Sequence, residues 1–528
     1  MAKLVDSRRV PGVNLFGDRP GAVLDLRLEG ESPAAAVEAW TSQARRVLRE
    51  VGWDGEETAH RLSGEDLSLF LSGPRDALYA ATEVNELAWA SAEAVRAGSL
   101  EPELQPGLTE VRRAIRTERK PALVALADEA ARRGVAFLPD DESVSVGTGA
   151  GCVAYPIAEI PPPADIPWER VRDVPTVMVT GTNGKSTTVR LLGAITRAWG
   201  KVPGVSTTDG LVVGNQAIGT GDYSGPEGAR KILRDPRVEV AVLETARGGI
   251  QRRGLALTRV DAAAITNVAE DHIGEFGIHS LEDIADLKMV VARALKGDGV
   301  LVLNAGDPLL IARAKSVAAR IAWFTADDAS RRFRVEEIPL AFGGAARHNL
   351  ENAMTAALLG DALGIPDGVI ARGLASFRGT PEENPGRLNV IERGGVTVVL
   401  DYAHNPHGMD ALVAVAKTLP AQRRLILLGQ AGDRDDEAIR ALARSAWALG
   451  PDLVVIKEME DHLRGRAVGE IPAVIEAELR HLGARDEQLV HAASEVEGVQ
   501  LALGWARPGD QLVLTSHASR RVVLDLLR

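Results

Sequence analysis

The chain has 528 residues, a formal net charge of −12, and 45% hydrophobic and 25% charged residues. This composition is typical of a globular protein in water, and it excludes an intrinsically disordered chain and a bundle of membrane-spanning segments. Acids and bases are interspersed and only 4% of the residues are aromatic, which argues against general nucleic-acid binding. The length exceeds one ordinary domain and predicts about three.

The cysteine count and the first residues predict where the protein works. A single cysteine, Cys152, excludes an internal disulfide and suits a reducing cytoplasm. Residues 1–9 are charged and lack the apolar core of a secretory signal, and no apolar run is long enough to cross a bilayer. We therefore expect a cytoplasmic protein that does not bind membranes.

Residues 1–168 are predicted to form an N-terminal α+β domain. Ala, Leu and Val recur at helical spacing over residues 33–51 and 78–97, and no catalytic group of residues is apparent. A proline-rich join closes this part of the chain, because such a stretch sustains neither a helix nor a central strand. The prolines of the join are Pro156, Pro161, Pro162, Pro163 and Pro167.

Residues 169–384 alternate short β-rich runs with helical patterns, which predicts a mostly parallel sheet flanked by helices. Polar residues follow the β-rich runs at residues 238–243, 262–265 and 299–303. Since the ligand crevice of an open α/β sheet lies beyond the carboxyl ends of its strands, we expect these polar residues to converge on one site. They are Glu244, Thr245, Thr266, Asn267 and Asn304.

Residues 385–528 repeat the alternation of strand and helix on a smaller scale, which predicts a C-terminal α/β domain of the Rossmann type. Strand-like runs occupy residues 397–400, 425–428, 453–456 and 511–514. The chain as a whole is therefore assigned to the α/β class.

A candidate phosphate-binding loop lies where an apolar run turns into a helical pattern. Backbone N–H groups of such a turn cradle phosphate oxygens, while Lys185 adds a positive charge and Ser186 a hydroxyl that can ligate Mg²⁺. The spacing is shorter than G-x-x-x-x-G-K-[ST], since Val179 stands where that form needs glycine. The loop residues expected to bind a nucleotide are Gly181, Thr182, Asn183, Gly184, Lys185, Ser186 and Thr187.

This shortened loop resembles that of the Mur ligase family, ATP-dependent enzymes that join a carboxylate to an amine. The runs at residues 243–254 and 463–466 resemble the Mur-ligase-like half of cyanophycin synthetases more than the peptidoglycan ligases. Those synthetases carry an ATP-grasp domain before that half, whereas this chain passes directly through the proline-rich join. The resemblance implies three domains: a cyanophycin-synthetase-like domain at 1–168, an ATP-binding Mur ligase domain at 169–384, and a C-terminal Mur ligase domain at 385–528.

The resemblance also implies a metal site for catalysis. Glu244, at the end of a strand, would ligate Mg²⁺ directly or through water, together with Ser186; the alternative is an ion pair with Arg247 or Arg252. His272 follows Asp271 in the family's pattern and would support a second Mg²⁺, although an isolated histidine is usually structural.

Lys288 is the fourth predicted catalytic residue. Residues 280–283 have the form of a helix-starting box, so Lys288 should lie on a helix just downstream. Mur ligases carbamoylate a lysine in the corresponding helix, and its new carboxylate holds the second metal. The alternative is a solvated lysine, as most helical lysines are.

Similarity to the family implies further nucleotide and substrate contacts. Asn352 would lie near the adenine, Arg387 would reach the phosphates across the domain join, and Asp401 would meet the ribose. The incoming substrates would contact guanidinium and carboxylate groups, with a charged surface loop as the alternative. These substrate residues are Arg247, Asp433, Arg434, Asp435, Arg464 and Arg466.

The expected function is an ADP-forming ligase that uses ATP and Mg²⁺. It would activate a carboxylate as an acyl phosphate and couple it to an amino acid. Its partners would be a small-molecule or peptide acid and an amino acid, with a separate ATP-grasp ligase as a further candidate and a homo-oligomer compatible with the sequence. Two alternatives stay open: a folylpolyglutamate-type ligase, and a non-catalytic ATP-binding partner of an ATP-grasp ligase.

Overall fold

The computed structural model of the protein describes residues 2–99, 103–271, 273–274 and 277–528. The helices are α1 (Pro33–Glu50), α2 (Leu78–Arg96), α3 (Gln105–Glu118), α4 (Pro121–Arg133), α5 (Lys185–Ala198), α6 (Pro226–Leu233), α7 (Arg247–Arg253), α8 (Leu281–Met289), α9 (Pro308–Ala314), α10 (Ala326–Arg332), α11 (Arg347–Ala362), α12 (Asp367–Ser376), α13 (Pro406–Thr418), α14 (Asp436–Trp447), α15 (Glu470–His481), α16 (Glu495–Trp505) and α17 (Arg520–Leu527). Among these described helices, none has the length and apolar character needed to cross a membrane.

The strands make up four sheets. They are β1 (Lys3–Val10), β2 (Gly21–Arg27), β3 (Thr58–Ser63), β4 (Asp66–Ser72), β5 (Phe137–Pro139), β6 (Ser143–Val146), β7 (Val153–Pro156), β8 (Thr176–Thr180), β9 (Pro203–Thr207), β10 (Gly210–Val213), β11 (Gln216–Thr220), β12 (Val240–Glu244), β13 (Val260–Ile265), β14 (Leu295–Asn304), β15 (Arg320–Phe324), β16 (Asn389–Arg393), β17 (Val396–Asp401), β18 (Arg424–Leu428), β19 (Leu453–Lys457), β20 (Leu489–Ala492) and β21 (Gln511–Thr515).

The N-terminal part is built on an antiparallel sheet in the order β1-β2-β4-β3. Alternate side chains of β2 and β4, such as Leu24 and Leu69, face one side and bury against α1 and α2. Trp40 of α1 is fully buried, and its indole N–H is satisfied because it donates to Asn85 Oδ1 at 2.9 Å. The predicted α+β character of this part is confirmed.

The proline-rich join leads directly into the central sheet. The small sheet β5-β6-β7 ends at Pro156, and β8 begins at Thr176. The backbone N–H of Ala150 donates to Val238 O at 2.8 Å, so this small sheet is fixed against the central part. No further domain lies between β7 and β8, all of whose connecting residues the structure describes.

The central sheet has eight strands in the order β11-β10-β9-β12-β8-β13-β14-β15. Strands β9, β12, β8, β13, β14 and β15 run parallel, and the hairpin β10–β11 adds an antiparallel edge. Val177 and Val179 of β8 pack against α5, α11 and α12, while Met178 points to the opposite face, covered by α6, α7 and α8. Both faces are buried, as is typical of a parallel sheet.

The C-terminal sheet has six strands in the order β16-β17-β21-β18-β19-β20, all parallel except β16. Helices α13, α14 and α15 cover one face through residues such as Leu412 and Ile439. Helices α16 and α17 cover the other face through residues such as Val499 and Val523. The Rossmann-like prediction is confirmed, and the four predicted strand runs fall within β17, β18, β19 and β21.

Candidate nucleotide and acceptor site

The phosphate loop connects β8 at the centre of the sheet to the first turn of α5. Gly181 has a φ of +147° and Gly184 a φ of +85°, a region that side chains with a Cβ rarely adopt. A Cβ would also lie 1.8 Å from Thr266 Oγ1 at position 181, and 2.2 Å from Asn352 Oδ1 at position 184. Both positions therefore require glycine.

Polar residues at the ends of neighbouring strands hold this loop, as the sequence predicted. The Thr266 hydroxyl donates to Asn183 O at 2.6 Å, and the Asn183 N–H donates to Asn267 Oδ1 at 2.9 Å. The side-chain amide of Asn304 donates to Thr266 O at 3.2 Å. The loop is thus fixed by the carboxyl edge of the sheet before any phosphate binds.

Glu244 is the candidate ligand for Mg²⁺ beside the phosphate loop. It is 1% exposed at the end of β12 and accepts hydrogen bonds from Ser186 Oγ and from Thr208 Oγ1, each at 2.7 Å. It pairs with neither Arg247 nor Arg252, so the ion-pair alternative is wrong. A buried carboxylate beside two hydroxyls offers the hard oxygen atoms that Mg²⁺ prefers.

The local charge fits a nucleotide-bound Mg²⁺ better than an all-protein metal cage. Within the described ranges, no group of three or more His, Cys, Asp or Glu side chains is placed to hold a metal ion. Mg²⁺ commonly takes one or two carboxylates and completes its shell with phosphate oxygens and waters. Lys185 Nζ donates to Thr182 O at 2.8 Å, and burial lowers the pKa of Lys185 while Glu244 acts in the opposite direction.

Lys288 lies on α8, which starts at the predicted capping box of Ser280 and Asp283. Its side chain is 2% exposed, so the alternative of a solvated lysine is wrong. Burial and the neighbouring Lys185 hold the pKa of Lys288 well below its usual range. The amine also lines the same cleft as Glu244. A lowered pKa favours the uncharged amine, which is the form that reacts with carbon dioxide, so this position fits carbamoylation. His272 lies outside the described residues.

The segment before α8 and the first turn of α8 form hydrogen bonds with the N-terminal sheet. Arg61 Nη1 donates to Gly277 O at 2.9 Å, and Ser63 Oγ donates to Asp283 Oδ2 at 2.7 Å. His279 and Asp66 form a further contact at 2.9 Å. The N-terminal domain therefore helps to position the helix that carries Lys288.

The predicted nucleotide residues Asn352, Arg387 and Asp401 line one narrow pocket of about 90 Å³ beside the phosphate loop. Asn352 accepts from Thr188 Oγ1 at 3.3 Å. Asp401 accepts from the N–H groups of Leu388 and Ala403, each at 2.7 Å, and burial raises its pKa. These bonds hold both side chains in place.

His348, in the same pocket, was not among the residues predicted to bind. Burial, with a smaller effect from His407, lowers the pKa of His348 to about 4, so its ring is neutral near pH 7. A neutral imidazole can stack on a base or share a hydrogen bond with it.

The Arg387 side chain forms no hydrogen bond or ion pair with the residues that the structure describes. Its guanidinium lies over the Tyr402 ring at 4.2 Å, and its Nε is buried with no hydrogen bond. Arg387 lines both the narrow pocket and the larger cleft next to it. This position suits an arginine that binds phosphate.

Sequence reasoning missed a charged junction between the central and C-terminal domains. Asp209 follows β9 and accepts from Arg190 Nη2 at 2.6 Å and from Arg520 of α17. Burial opposes ionisation of Asp209, but Arg387, Arg190 and Arg520 together hold its pKa well below the usual range. Strand β9 was not predicted from the sequence. Had it been predicted, the polar residues after that strand would have indicated Asp209, as the polar residues after β12 and β13 indicated theirs.

The charged motif at residues 432–435 approaches the central domain. Arg434 donates to Asp271 Oδ1 at 2.8 Å and to Asp433 Oδ2 at 2.9 Å, and Arg464 also pairs with Asp433. Arg464 lines the large cleft, as does Arg247.

Two other predicted substrate residues hold local structure. Asp435 caps α14 by accepting from Ala438 N at 2.8 Å. Arg466 donates to Arg434 O at 2.6 Å and to Asp436 Oδ1 at 2.8 Å.

The large cleft, of about 1620 Å³, is lined by all three parts of the chain. The phosphate loop, Glu244 and Lys288 form one side, and Tyr402 and Arg464 belong to the C-terminal domain. The N-terminal domain contributes residues such as Arg75, although the sequence indicated no functional group there.

Two family models match the chain and together cover more than half of it. The Mur ligase middle domain matches residues 179–360, and the Mur ligase glutamate ligase domain matches residues 386–518. The cyanophycin synthetase of Trichormus variabilis is 36% identical over 69% of this chain and 43% of its own length. The chain thus spans less than half the length of that relative.

The matches also include less similar proteins. The UDP-N-acetylmuramoyl-L-alanyl-D-glutamate–2,6-diaminopimelate ligase of Chlorobium phaeobacteroides is 28% identical over 69% of this chain and 79% of that enzyme. The solved structure of E. coli FolC in complex with ADP is 22% identical, covers 67% of this chain and 89% of that one, and has a TM-score of 0.47. On the family models, the chain belongs to the Mur ligase family.

Proposed function

We propose that the protein is an ADP-forming ligase of the cytoplasm that uses ATP and Mg²⁺. It activates a substrate carboxylate as an acyl phosphate and couples it to the amine of an amino acid. The observation that carries this proposal is Glu244, a buried carboxylate that forms no ion pair with any described residue, accepts from the hydroxyls of Ser186 and Thr208, and acts electrostatically on Lys185.

The phosphate loop, Asn352, Arg387 and Asp401 bind the nucleotide in this proposal. The loop N–H groups and Lys185 take the phosphates, while Arg387 supplies positive charge from the C-terminal side. The narrow pocket beside Asn352 and Asp401 receives the nucleoside. The diaminopimelate relative is named as a ligase, which agrees with a reaction that joins an amino acid to an acid.

Glu244 and Ser186 would hold one Mg²⁺, and His272 and a carbamoylated Lys288 would support a second. When bound, Mg²⁺ would neutralise the charge that develops on the transferred phosphoryl group. The chain's own task is to orient the reacting groups, because phosphoryl transfer depends mainly on positioning and electrostatic stabilisation.

The reaction proceeds in two displacements. A carboxylate oxygen of the acceptor bonds to the γ-phosphorus, and the bond to the bridging oxygen breaks so that ADP leaves. The amine nitrogen then bonds to the acyl carbon, the carbon–oxygen bond to phosphate breaks, and the nitrogen gives up a proton. Residues of the C-terminal domain such as Arg464 bind the amino acid, and closure of that domain over the nucleotide would limit hydrolysis of the acyl phosphate.

The test is ATP turnover by the purified protein with pairs of acids and amines. We expect sustained ADP release only when both an acid and an amino acid are present, with a product whose mass equals the pair minus water. A folate-type acid as the sole effective acceptor would indicate the folylpolyglutamate-type alternative. Nucleotide binding without turnover under every pairing would favour the non-catalytic partner of an ATP-grasp ligase.

A further inference from the structure

The C-terminal domain contains a buried ion pair that the proposed ligase chemistry does not use. Lys457 ends β19 and is 1% exposed, and Glu495 begins α16 and is 4% exposed. Lys457 Nζ donates to Glu495 Oε2 and to Thr515 O, each at 2.6 Å. Glycine at position 429 leaves room for the lysine side chain, since a Cβ there would lie 2.5 Å from Lys457 Cγ. We call Lys457 and Glu495 the buried pair.

The buried pair is expected to act on the geometry around it more than on stability. Apolar side chains of similar volume often stabilise a protein interior as well as a buried ion pair does, because both charges must be withdrawn from water. A carboxylate and an ammonium at this depth nevertheless need defined hydrogen-bond partners, so they impose positions on the groups that supply them.

Glu495 imposes such positions on the loop between β21 and α17, residues 516–519, which we call the β21–α17 loop. Its carboxylate accepts from Ser516 Oγ at 2.6 Å, from His517 N at 2.8 Å and from Ser519 N at 2.9 Å. Burial opposes ionisation of Glu495, but Lys457 and the bond from His517 N hold its pKa well below the usual range. An anionic Glu495 therefore fixes the backbone of this loop.

The ring of His517 in this loop has one defined orientation and tautomer. Its Nε2 lies 3.1 Å from Ala403 O, and its Nδ1 lies 3.4 Å from Lys457 Nζ. A carbonyl can only accept and an ammonium can only donate, so Nε2 carries the proton and Nδ1 accepts. Burial and Lys457 lower the pKa of His517 well below its usual range, which agrees with a neutral ring near pH 7.

The His517 ring packs against Tyr402, which in turn contacts the proposed phosphate-binding arginine. The two rings meet edge to face, with centroids 5.2 Å apart. The Arg387 guanidinium lies 4.2 Å from the centroid of the Tyr402 ring, and that of Arg520, the first residue after the β21–α17 loop, lies 4.8 Å from it. Because Arg387 forms no hydrogen bond or ion pair with the residues that the structure describes, its orientation depends on the Tyr402 ring.

On the basis of the proposed ligase function, in which Arg387 binds the nucleotide phosphates, we propose that Lys457, Glu495 and His517 are positioning residues that hold Tyr402 and thereby direct Arg387 towards the phosphates. These three residues line neither the narrow pocket nor the large cleft. They therefore act on the nucleotide through Arg387. Their loss should weaken the binding of phosphates and leave the binding of the nucleoside unchanged.

A double-mutant cycle on the full chain tests this proposal. The probes are a non-hydrolysable ATP analogue with Mg²⁺, followed by calorimetry, and adenosine, followed by ligand-observed NMR. Arg387→Gln should weaken binding of the analogue by about tenfold. Glu495→Gln and His517→Ala should each weaken it by about fivefold and leave adenosine unchanged. In the Arg387→Gln background, either variant should add less than about twofold, because the group through which it acts is gone.

A second variant keeps the test valid if Glu495→Gln, which leaves Lys457 buried without a counter-charge, fails to fold. Lys457→Met combined with Glu495→Gln removes both charges, so no unpaired charge stays buried, and it should weaken the analogue as His517→Ala does. Glu478→Gln is the matched control. Glu478 is 8% exposed, and it pairs with Arg444 in the same domain at 3.0 Å, but it does not contact the β21–α17 loop. Its substitution should leave both affinities unchanged.

The cycle separates failure of this proposal from failure of the proposed function. Wild-type affinity for the analogue in His517→Ala and in the variants of the buried pair would overturn the proposal. An equal loss of adenosine affinity, or a full additional loss in the Arg387→Gln background, would also overturn it, because either result indicates a general structural effect. Failure of the wild type to bind the analogue would instead contradict the ligase function, and wild-type affinity in Arg387→Gln would contradict the assigned role of Arg387.

Discussion

The side-chain amides of Asn183 and Asn405 exchange two hydrogen bonds, of 3.1 and 3.2 Å, across the boundary between the central and C-terminal domains. Asn183 belongs to the phosphate loop, and Asn405 is the N-cap of α13, where its Oδ1 accepts from Gly408 N at 2.8 Å. The C-terminal domain thus contacts the phosphate loop directly. We therefore expect the position of the C-terminal domain to affect the affinity of the phosphate loop for nucleotide.

Asn405→Asp tests this link. Aspartate retains the oxygen that caps α13, but it cannot donate to Asn183 and adds a negative charge near the phosphates. We expect the affinity for ATP to fall by about fivefold or more, and the free energy of unfolding to fall by about 2 kcal/mol because Asn405 is 2% exposed and the new charge is buried. Asn405→Ala loses the cap and both bonds to Asn183 without burying a charge, and it should destabilise the protein by about 1 kcal/mol. Unchanged nucleotide affinity in both variants would show that the contact has no role in binding.

Glu244→Gln tests the proposed metal ligand. The amide is similar in shape and can still accept from Ser186, but it lacks the charge that a divalent cation requires. We expect turnover to fall by about 10²-fold or more, accompanied by a higher Mg²⁺ requirement for nucleotide binding. Glu239→Gln is the control, since that glutamate pairs with Lys201 near the surface. Near-normal turnover at low Mg²⁺ in Glu244→Gln would rule out this role.

Lys288 should make activity depend on carbon dioxide. If its buried amine is carbamoylated, turnover of the wild type should fall in buffer freed of carbon dioxide and recover when bicarbonate is added. Lys288→Ala should lose activity by about 10²-fold and show no response to bicarbonate. Lys315→Ala, an exposed lysine on the same domain, should behave as the wild type. Unchanged turnover in Lys288→Ala would eliminate a catalytic role.

Asp209 should contribute stability that depends on pH. Because its folded pKa lies below the unfolded value, the contribution is fully present above about pH 4 and declines as pH falls towards the folded pKa. Asp209→Asn leaves Arg190 and Arg520 facing each other and should lower the free energy of unfolding at pH 7 by about 3 kcal/mol. The difference from wild type should shrink in acid, as measured by denaturant titration.

The matched control for Asp209 is Asp525→Asn, since Asp525 is 59% exposed and pairs, among the residues that the structure describes, with Arg528 alone. We expect it to change stability by less than about 1 kcal/mol at any pH. A loss of stability that is the same at pH 3 and pH 7 for Asp209→Asn would contradict the ion-pair explanation.

The phosphate loop, the strands that support it and the capping box of α8 could be predicted because their information is local. Glycines at fixed spacing, an apolar run and the Ser280–Asp283 pair each determine the conformation of a few residues. The contact between Asp209 and Arg520 joins residues 311 positions apart, and no local pattern encodes that pairing. The same applies to Arg75, whose place in the cleft depends on how the N-terminal domain packs against the central sheet.

Oxygen transfer tests the central claim of acyl phosphate chemistry most directly. The acceptor that supports ATP turnover is labelled with ¹⁸O in its carboxylate, and the released phosphate is analysed by mass spectrometry. The proposed mechanism predicts that one labelled oxygen passes from the carboxylate to each phosphate, because the acyl carbon–oxygen bond breaks when the amine attacks. Phosphate that carries no label from the acceptor and takes its new oxygen from solvent water would contradict the mechanism.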